Sequence, residues 1–300
     1  MTGAPSPRWR PLRELPPGAW RDVVGVFTDI DDTLTTDGAI TPDALTALAE
    51  LRAAGVHVIA VTGRPVGWSE AFALTWPLDA IVAENGAVAL VRTPPAEGAS
   101  GSAGSAQISS QIRPKMAPEL RHQLSKLYID DALTRQTNFA HLRRVAARVL
   151  REVPGATLAQ DSPGRETDIA VDHSEFAHLG DAQIAQVVAL MRAEGLQATV
   201  SSIHINGWIG DHNKWVGACW IARELLGIDD LAAQQERWVY IGDSTNDQVM
   251  FDHFTHSVGV ANIARFADQL QTPPRYVTAG ERGAGFAEMA RLLLAQRQGD

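Results

Sequence analysis

The 300-residue chain carries 26 Lys and Arg against 35 Asp and Glu, a formal charge of −9 with neutral histidines. That balance argues against a nucleic-acid surface or an anionic membrane as the main partner, since both reward clustered positive charge, and leaves a small anionic ligand open if basic groups gather locally. With 45% hydrophobic residues it can bury the core of one large domain or two ordinary ones, and its single cysteine, Cys219, excludes an internal disulfide framework and suits a reducing, cytoplasmic setting.

The opening MTGAPSPRWRPLRELPPGAW has no apolar segment of signal-peptide type and reads as a Pro-rich tail over residues 1–20. No later stretch holds 18 uninterrupted apolar residues. Val23, Val24, Val26 and Phe27 predict a strand buried on both faces, and it runs directly into Asp29, Asp31 and Asp32. Thr41 and Pro42 open a helix whose Leu45, Leu48 and Leu51 share a face, and Gly55 ends it. VHVIAVTG is a second buried strand, a helix starts near Val66, and DAIVAEN is a third strand. Asn85-Gly86 has the chemistry of a hairpin turn. From residue 87 to 206 the texture changes: a Gly/Ser/Ala stretch at 97–106, helices over 142–153 and 181–194, and short strands in TDIAVD and ATVSSIHIN. A helix over 214–226 and the strands RWVYIGD and HSVGVAN then resume the alternation. The expectation is an α/β protein: a doubly wound, Rossmann-like parallel sheet built from 21–86 and 207–300, with an α+β domain of about 120 residues, 87–206, inserted into it. There are no internal repeats.

In an open parallel sheet, ligands sit beyond the carboxyl ends of the strands. The polar residues that follow the predicted strands are DIDDT, TGR, the HNK ahead of a helix, and DSTND. They bring Asp29, Asp31, Asp243 and Asp247 to one rim with Thr62 and Lys214 as donors. So many carboxylates raise one another's pKa unless a cation joins them, and oxygen ligands without His or Cys favour Mg²⁺. Thr62 and Gly63, between strand and helix, can turn hydroxyl and N–H groups toward a phosphate. Lys214 opens a helix, where a cation is unfavourable unless an anion lies beside it. An Asp carboxylate is then the natural nucleophile on phosphorus.

DIDDT, TGR, Lys214 and GDSTND resemble, in order, the four motifs of the haloacid dehalogenase superfamily of phosphohydrolases, spanning about Val23 to Arg291. The insert and the ENGA at 84–87 resemble the large-cap, class IIB branch that holds sucrose-phosphate, trehalose-phosphate and mannosyl-phosphoglycerate phosphatases. The resemblance implies a Mg²⁺-dependent phosphatase acting on a small phosphorylated metabolite, with Asp29 as nucleophile and Asp31 as general acid and base. It further implies that Thr62, Gly63, Lys214 and Asn246 hold the phosphoryl group and that Asp29, Asp31, Asp243 and Asp247 hold the metal. Asp32 departs from the Gly usual there. A phosphomannomutase-like transferase and a non-catalytic sugar-phosphate sensor are the alternatives.

Other residues keep two readings. Arg64 is a salt bridge that fixes its loop or a phosphate contact. Asn85 is a turn residue or, by resemblance, lies at a hinge near substrate. Arg165, His204 and Asn206 are candidate substrate contacts, because the HIN strand returns to the core just before Lys214. Cys219 lies on the apolar stripe of its helix, and the eight Trp are scattered as packing residues.

Overall fold

The computed structural model describes residues 9–93 and 123–298; the Gly/Ser/Ala stretch at 97–106 lies outside them. In chain order the strands are β1 (Arg10–Pro11), β2 (Gly25–Thr28), β3 (Thr35–Thr36), β4 (Ala39–Ile40), β5 (His57–Val61), β6 (Ala80–Ala83), β7 (Val88–Thr93), β8 (Gln123–Tyr128), β9 (Thr157–Leu158), β10 (Asp168–Asp172), β11 (Gln197–Val200), β12 (His204–Trp208), β13 (Trp238–Gly242), β14 (His256–Gly259) and β15 (Tyr276–Val277). The α-helices are α1 (Pro42–Ala53), α2 (Val66–Thr75), α3 (Ala132–Glu152), α4 (Asp181–Ala193), α5 (Lys214–Leu226), α6 (Gln248–His253) and α7 (Arg282–Gln298).

Nine strands form one sheet in the order β1-β15-β14-β13-β2-β5-β6-β7-β8. Neighbours from β1 through β6 in that order are parallel, and β7 and β8 add an antiparallel edge. Successive side chains of a strand point to opposite faces, and here both faces are covered. Val26, Val58, Ala60 and Ile241 pack with α1, α2 and α7, while Phe27, Ile59, Val61 and Tyr240 pack with α5 and α6. This is why β2 and β13 read as unbroken apolar runs. From β2 the chain moves through α1 to β5 on one side, and β13 later joins β2 on the other. The direction of winding reverses there, so a crevice opens beyond the ends of β2 and β13.

A smaller antiparallel sheet, β11-β12-β10-β9, carries α3 and α4, whose Leu142, Val145, Val149, Val187 and Met191 meet Ile169, Val171 and Ile205. The boundary expected at residue 87 falls two strands early. The run VALV continues from a tight turn after β6 as an antiparallel neighbour, so β7 and β8 belong to the large sheet. The helix expected at 142–153 begins at Ala132, where the Asp131 side chain accepts the Thr134 N–H at 2.8 Å. Of the presumed tail, residues 10–20 pack on the core: Leu12, Leu15 and Trp20 are buried. On α1 the buried stripe is Ala44, Ala47, Leu48 and Leu51, with Leu45 outside it at 38% exposure. No described helix is long and apolar enough to cross a membrane.

Candidate active site

The apolar strand β2 ends in Asp29, whose N–H donates to the Ile241 carbonyl of β13 at 2.9 Å, so the parallel pairing continues one residue past the strand. Asn213 caps α5 through its side chain, accepting the Val216 N–H at 3.0 Å, and this sets Lys214 at the first helical position. The Lys214 ammonium is buried and donates to Asp29 Oδ1 and Asp247 Oδ1, each at 2.6 Å. Asp247 also accepts the Tyr240 hydroxyl at 2.5 Å and the N–H groups of Asp243 and Ser244 at 2.8 and 3.0 Å.

A carboxylate offers about four acceptor positions, and these four partners use those of Asp247. Asp243 is different. Its Oδ2 accepts from Asn262 at 3.1 Å and Arg265 at 3.2 Å, while its Oδ1 is buried without a partner among the described residues. Oxygens of Asp29, Asp243 and Asp247 lie within 4.8 Å of one another. Burial raises Asp29 to about 8 against the pull of Lys214, with Asp247 and Asp31 pushing the same way as burial. Burial, then Asp29 and Asp247, drive Asp243 well above the usual carboxylate range. An unpartnered buried oxygen among crowded acids is a donor set that fits a hard divalent cation such as Mg²⁺. Asp29, Asp243 and Asp247 are the acids close enough together to hold it, and of the three Asp243 keeps an oxygen without a partner among the described residues.

Asp31 does not join this group. Arg64 Nε lies 3.0 Å from each of its oxygens, so the expected fourth metal carboxylate faces a guanidinium instead. Arg64 also reaches across to Asp161 at 3.1 Å and Glu175 at 2.8 Å on the smaller unit. The salt-bridge reading of Arg64 is therefore the one the geometry carries. Asp32 sits at φ +55°, a left-handed conformation that favours glycine, and its carboxylate meets Arg265 and Arg282 at 3.2 and 3.1 Å.

Thr62 is buried at the end of β5, its Oγ1 accepting the Arg64 N–H at 3.0 Å. Asn246 is buried and accepts the Ser244 hydroxyl at 2.8 Å. The Gly63 carbonyl accepts from Arg165 and Asn206 at 3.0 and 3.1 Å. Arg165, Asn206 and Asn85 also converge on the buried Asp168, at 2.7, 3.3 and 3.4 Å. His204 is buried against Glu175 at 2.8 Å. Arg165 and Asn206 thus join the smaller unit to the TGR loop, and His204 braces Glu175.

The sequence reading passed over Asp168 and Glu84. Glu84 is buried in the turn after β6 and accepts N–H groups of Val66 and Glu166 at 3.0 Å and of Thr167 at 2.5 Å; burial and Asp168 raise it to about 7. An acid embedded in an apolar strand, as in TDIAVD, and another beside a turn were the available signals. Cys219 is half-buried, and burial pushes its thiol up to about 11, which leaves it unreactive.

These features can be set beside known proteins. Residues 26–96 match the family model of haloacid dehalogenase-like hydrolases. The matched segment holds β2, β5 and β6 with the DIDDT and TGR motifs. No match to a curated protein sequence was found. Among solved structures, a Thermoplasma acidophilum protein, 0175, superposes with a TM-score of 0.62 at 13% identity, over 91% of this chain and 98% of its own. The sucrose-phosphatase of Synechocystis sp. PCC6803, in complex with sucrose and phosphate, has a TM-score of 0.58 at 16% identity, over 91% and 98%. A haloacid dehalogenase subclass IIB sugar phosphatase has 0.55 at 14%, again over 91% and 98%. The resemblance read from the four motifs is upheld, and the fold, core sheet and inserted cap together, is the one these proteins share.

Proposed function

We propose that the protein is a Mg²⁺-dependent phosphatase that hydrolyses a phosphomonoester of a small polar metabolite, a sugar phosphate, through an aspartyl-phosphate on Asp29. The observation that carries the reading is the Lys214 ammonium shared between Asp29 and Asp247 beside the unpartnered Oδ1 of Asp243. A buried nucleophile, a buried cation and an open acceptor meet beyond the parallel strands, where an anionic ester would bring the charge that Lys214 is placed to receive.

Asp29 Oδ attacks phosphorus in line, and the P–O bond to the leaving alcohol breaks. Lys214, Thr62 and the loop at Gly63 hold phosphoryl oxygens, with Asn246 beside them. Asp31 gives its proton to the leaving oxygen and takes one from the water that cleaves the acyl phosphate. Arg64 holds the Asp31 carboxylate through three contacts at 3.0 Å, so it orients this acid. Mg²⁺, held by Asp29 and Asp243, would neutralise charge on the phosphoryl group as it transfers. Asp247 positions Lys214 and the Asp243 loop.

The test is phosphate release from a panel of sugar phosphates, nucleotides and phosphoglycerates with Mg²⁺ and with a chelator. Release that needs Mg²⁺ and disappears in Asp29→Asn is the expected result. Turnover undiminished by the chelator overturns the metal assignment, and release by Asp29→Asn at the wild-type rate overturns the nucleophile.

A further inference from the structure

The turn after β6 holds an acid that the reaction does not use. Glu84 is 0% exposed, and both it and Asn85 take left-handed backbone angles, φ +50° and +56°, which side chains other than glycine rarely adopt. Such strain persists only where the surroundings fix it, and here the Glu84 carboxylate is what fixes it. Its Oε1 accepts the Val66 N–H at the start of α2, on the core, at 3.0 Å; its Oε2 accepts the N–H and the hydroxyl of Thr167, on the cap, each at 2.5 Å. The Glu166 N–H reaches the two oxygens at 3.0 and 3.1 Å. Alongside, cap and core touch backbone to backbone: a Cβ on Gly67 would come 2.8 Å from the Gly164 Cα. The chain on either side of this joint leads to the phosphoryl loop. The Glu84 and Asn85 N–H groups donate to the Arg64 and Thr62 carbonyls, and Arg165, next to Glu166, donates to the Gly63 carbonyl.

The joint is short of positive charge. Asp168 is also 0% exposed, and the Arg165 guanidinium beside the two acids already bonds Asp168 at 2.7 Å and Asp161 at 3.2 Å. The other charged groups of the surrounding elements are engaged elsewhere: Arg64 with Asp31, Asp161 and Glu175, Glu166 with Lys126 and Tyr128 of β8, and Lys214 of α5 with Asp29 and Asp247. His212, which feels Asp168, is held below its ordinary 6.5 by burial and is neutral above that pH. Burial, then Asp168, raise Glu84 to about 7 against the hydrogen bonds of Thr167 and Val66 and the pull of Arg165. In an opened joint water reaches the carboxyl, and its ordinary 4.5 returns. The closed joint therefore holds a proton that the open one releases between those values. Closing is favoured most below 4.5, progressively less as pH rises to about 7, and by a constant smaller amount above. The proton has a place on Oε2, where the Thr167 hydroxyl can turn from donor to acceptor.

We propose that Glu84 is a positioning residue that locks the start of the cap strand β10 onto the phosphoryl loop, and that the lock is proton-linked, tighter with the carboxyl protonated than ionised. Glu84 acts through the backbone at 62–66 and 165–167 and touches no reacting atom. The proposal rests on the phosphatase reading for what the loop holds, though the lock can be measured without it. Glu84→Gln keeps one acceptor oxygen and donates an amide N–H to the Thr167 hydroxyl, so it imitates the protonated form at every pH. Asp168→Asn removes the neighbouring charge and leaves Arg165 to Glu84. Gly67→Ala pushes the cap turn away from α2 without touching Glu84.

Hydrogen exchange at the Glu166 and Thr167 amides, expressed as protection over the intrinsic rate, tests the lock across the neutral range. Wild-type protection should fall about tenfold per pH unit and level off above about 7, as the release of one proton requires. Glu84→Gln should stay at the wild-type acid value throughout, and Asp168→Asn should level off at lower pH. Wild-type protection that does not change with pH overturns the proposal, as does a Glu84→Gln that keeps the wild-type slope. Calorimetry with inorganic phosphate and Mg²⁺ on the alkaline side reads the loop: Gly67→Ala should weaken Kd about tenfold, the loss of one hydrogen bond, while Glu84→Gln binds at least as tightly as wild type. A Gly67→Ala within twofold of wild type, or a wild type that binds no phosphate, overturns the positioning role. Both patterns in a protein that hydrolyses no ester would sink the phosphatase reading and sustain the lock.

Discussion

Asp29, Asp31 and Asp32 follow one strand within four positions and meet three different partners: a buried lysine, a guanidinium shared with the cap, and a pair of surface arginines. Asp29→Asn should abolish turnover in a phosphate-release assay, because an amide neither attacks phosphorus nor balances Lys214. Asp31→Asn should retain substrate binding and slow kcat by about 100- to 10,000-fold, the usual size of general acid–base catalysis. Asp32→Gly has opposed effects. Glycine relieves the left-handed backbone, worth about 1–2 kcal/mol, while the lost pairs to Arg265 and Arg282 are partly exposed and worth little. The Asp32 carbonyl, which accepts Asn262 Nδ2 at 3.0 Å, remains. Thermal unfolding should therefore shift little or upward, and kcat should stay within a few-fold of wild type. A dead Asp32→Gly beside an active Asp31→Asn would reverse the two assignments.

Between elements, the decisive contact is where the turn after β6 touches α5. Gly86, at φ +112°, lies against Gly217, and a Cβ on Gly217 would come 2.5 Å from the Gly86 Cα. That approach lets α5 sit close enough for Lys214, one turn earlier, to reach Asp29. The same turn is tied to the TGR loop by the Asn85 N–H to the Thr62 carbonyl and the Glu84 N–H to the Arg64 carbonyl, both at 3.0 Å. Gly217→Ala should push the helix outward at a cost of about 1–3 kcal/mol, the range for overpacking. Its kcat should fall too, since Lys214 moves with the helix. Urea unfolding and phosphate release check both parts; lowered stability with wild-type kcat would mean that Lys214 is not held by this contact.

At the scale of the whole molecule, cap and core meet through charge. Arg64 ties Asp31 to Asp161 and Glu175, and Arg165 and Asn206 bond the Gly63 carbonyl. Burial works against the Glu175 charge, but hydrogen bonds from His204 and Arg64 hold it down at about 2, below its ordinary 4.5. Because the folded pKa is depressed, the folded state binds fewer protons between those values. The stabilisation is complete above about 4.5 and is lost as pH falls toward 2. Glu175→Gln should thus be less stable than wild type at pH 7, with the gap closing as the pH drops from 4.5 toward 2. Urea titrations across that range test it, and a gap independent of pH would show that the pair contributes nothing.

The parallel sheet, its alternation with helices and the acids at its rim were legible in the sequence because they are local. An apolar run buried on both faces, a turn residue or a carboxylate after a strand carries its meaning within a few positions. The four motifs added order along the chain. Which partner each acid meets was decided by distance in space. Asp247 is saturated by Tyr240, Lys214 and two N–H groups, Asp243 keeps a free oxygen, and Asp31 is drawn to Arg64. The bonds of Asp247 to the Asp243 and Ser244 N–H groups are local to one loop, but its pairing with Lys214 and that of Asp31 with Arg64 join segments far apart in the chain. The cap boundary was hidden for the same reason: β7 and β8 look like any short strands until pairing assigns them to the large sheet. Arg165, His204 and Asn206 are candidate substrate contacts because the HIN strand returns to the core just before Lys214; in the folded protein Arg165 and Asn206 bond the Gly63 carbonyl and Asp168, and His204 bonds Glu175. Burial removes water from every polar group at once, and the tertiary structure decides which of them find a partner.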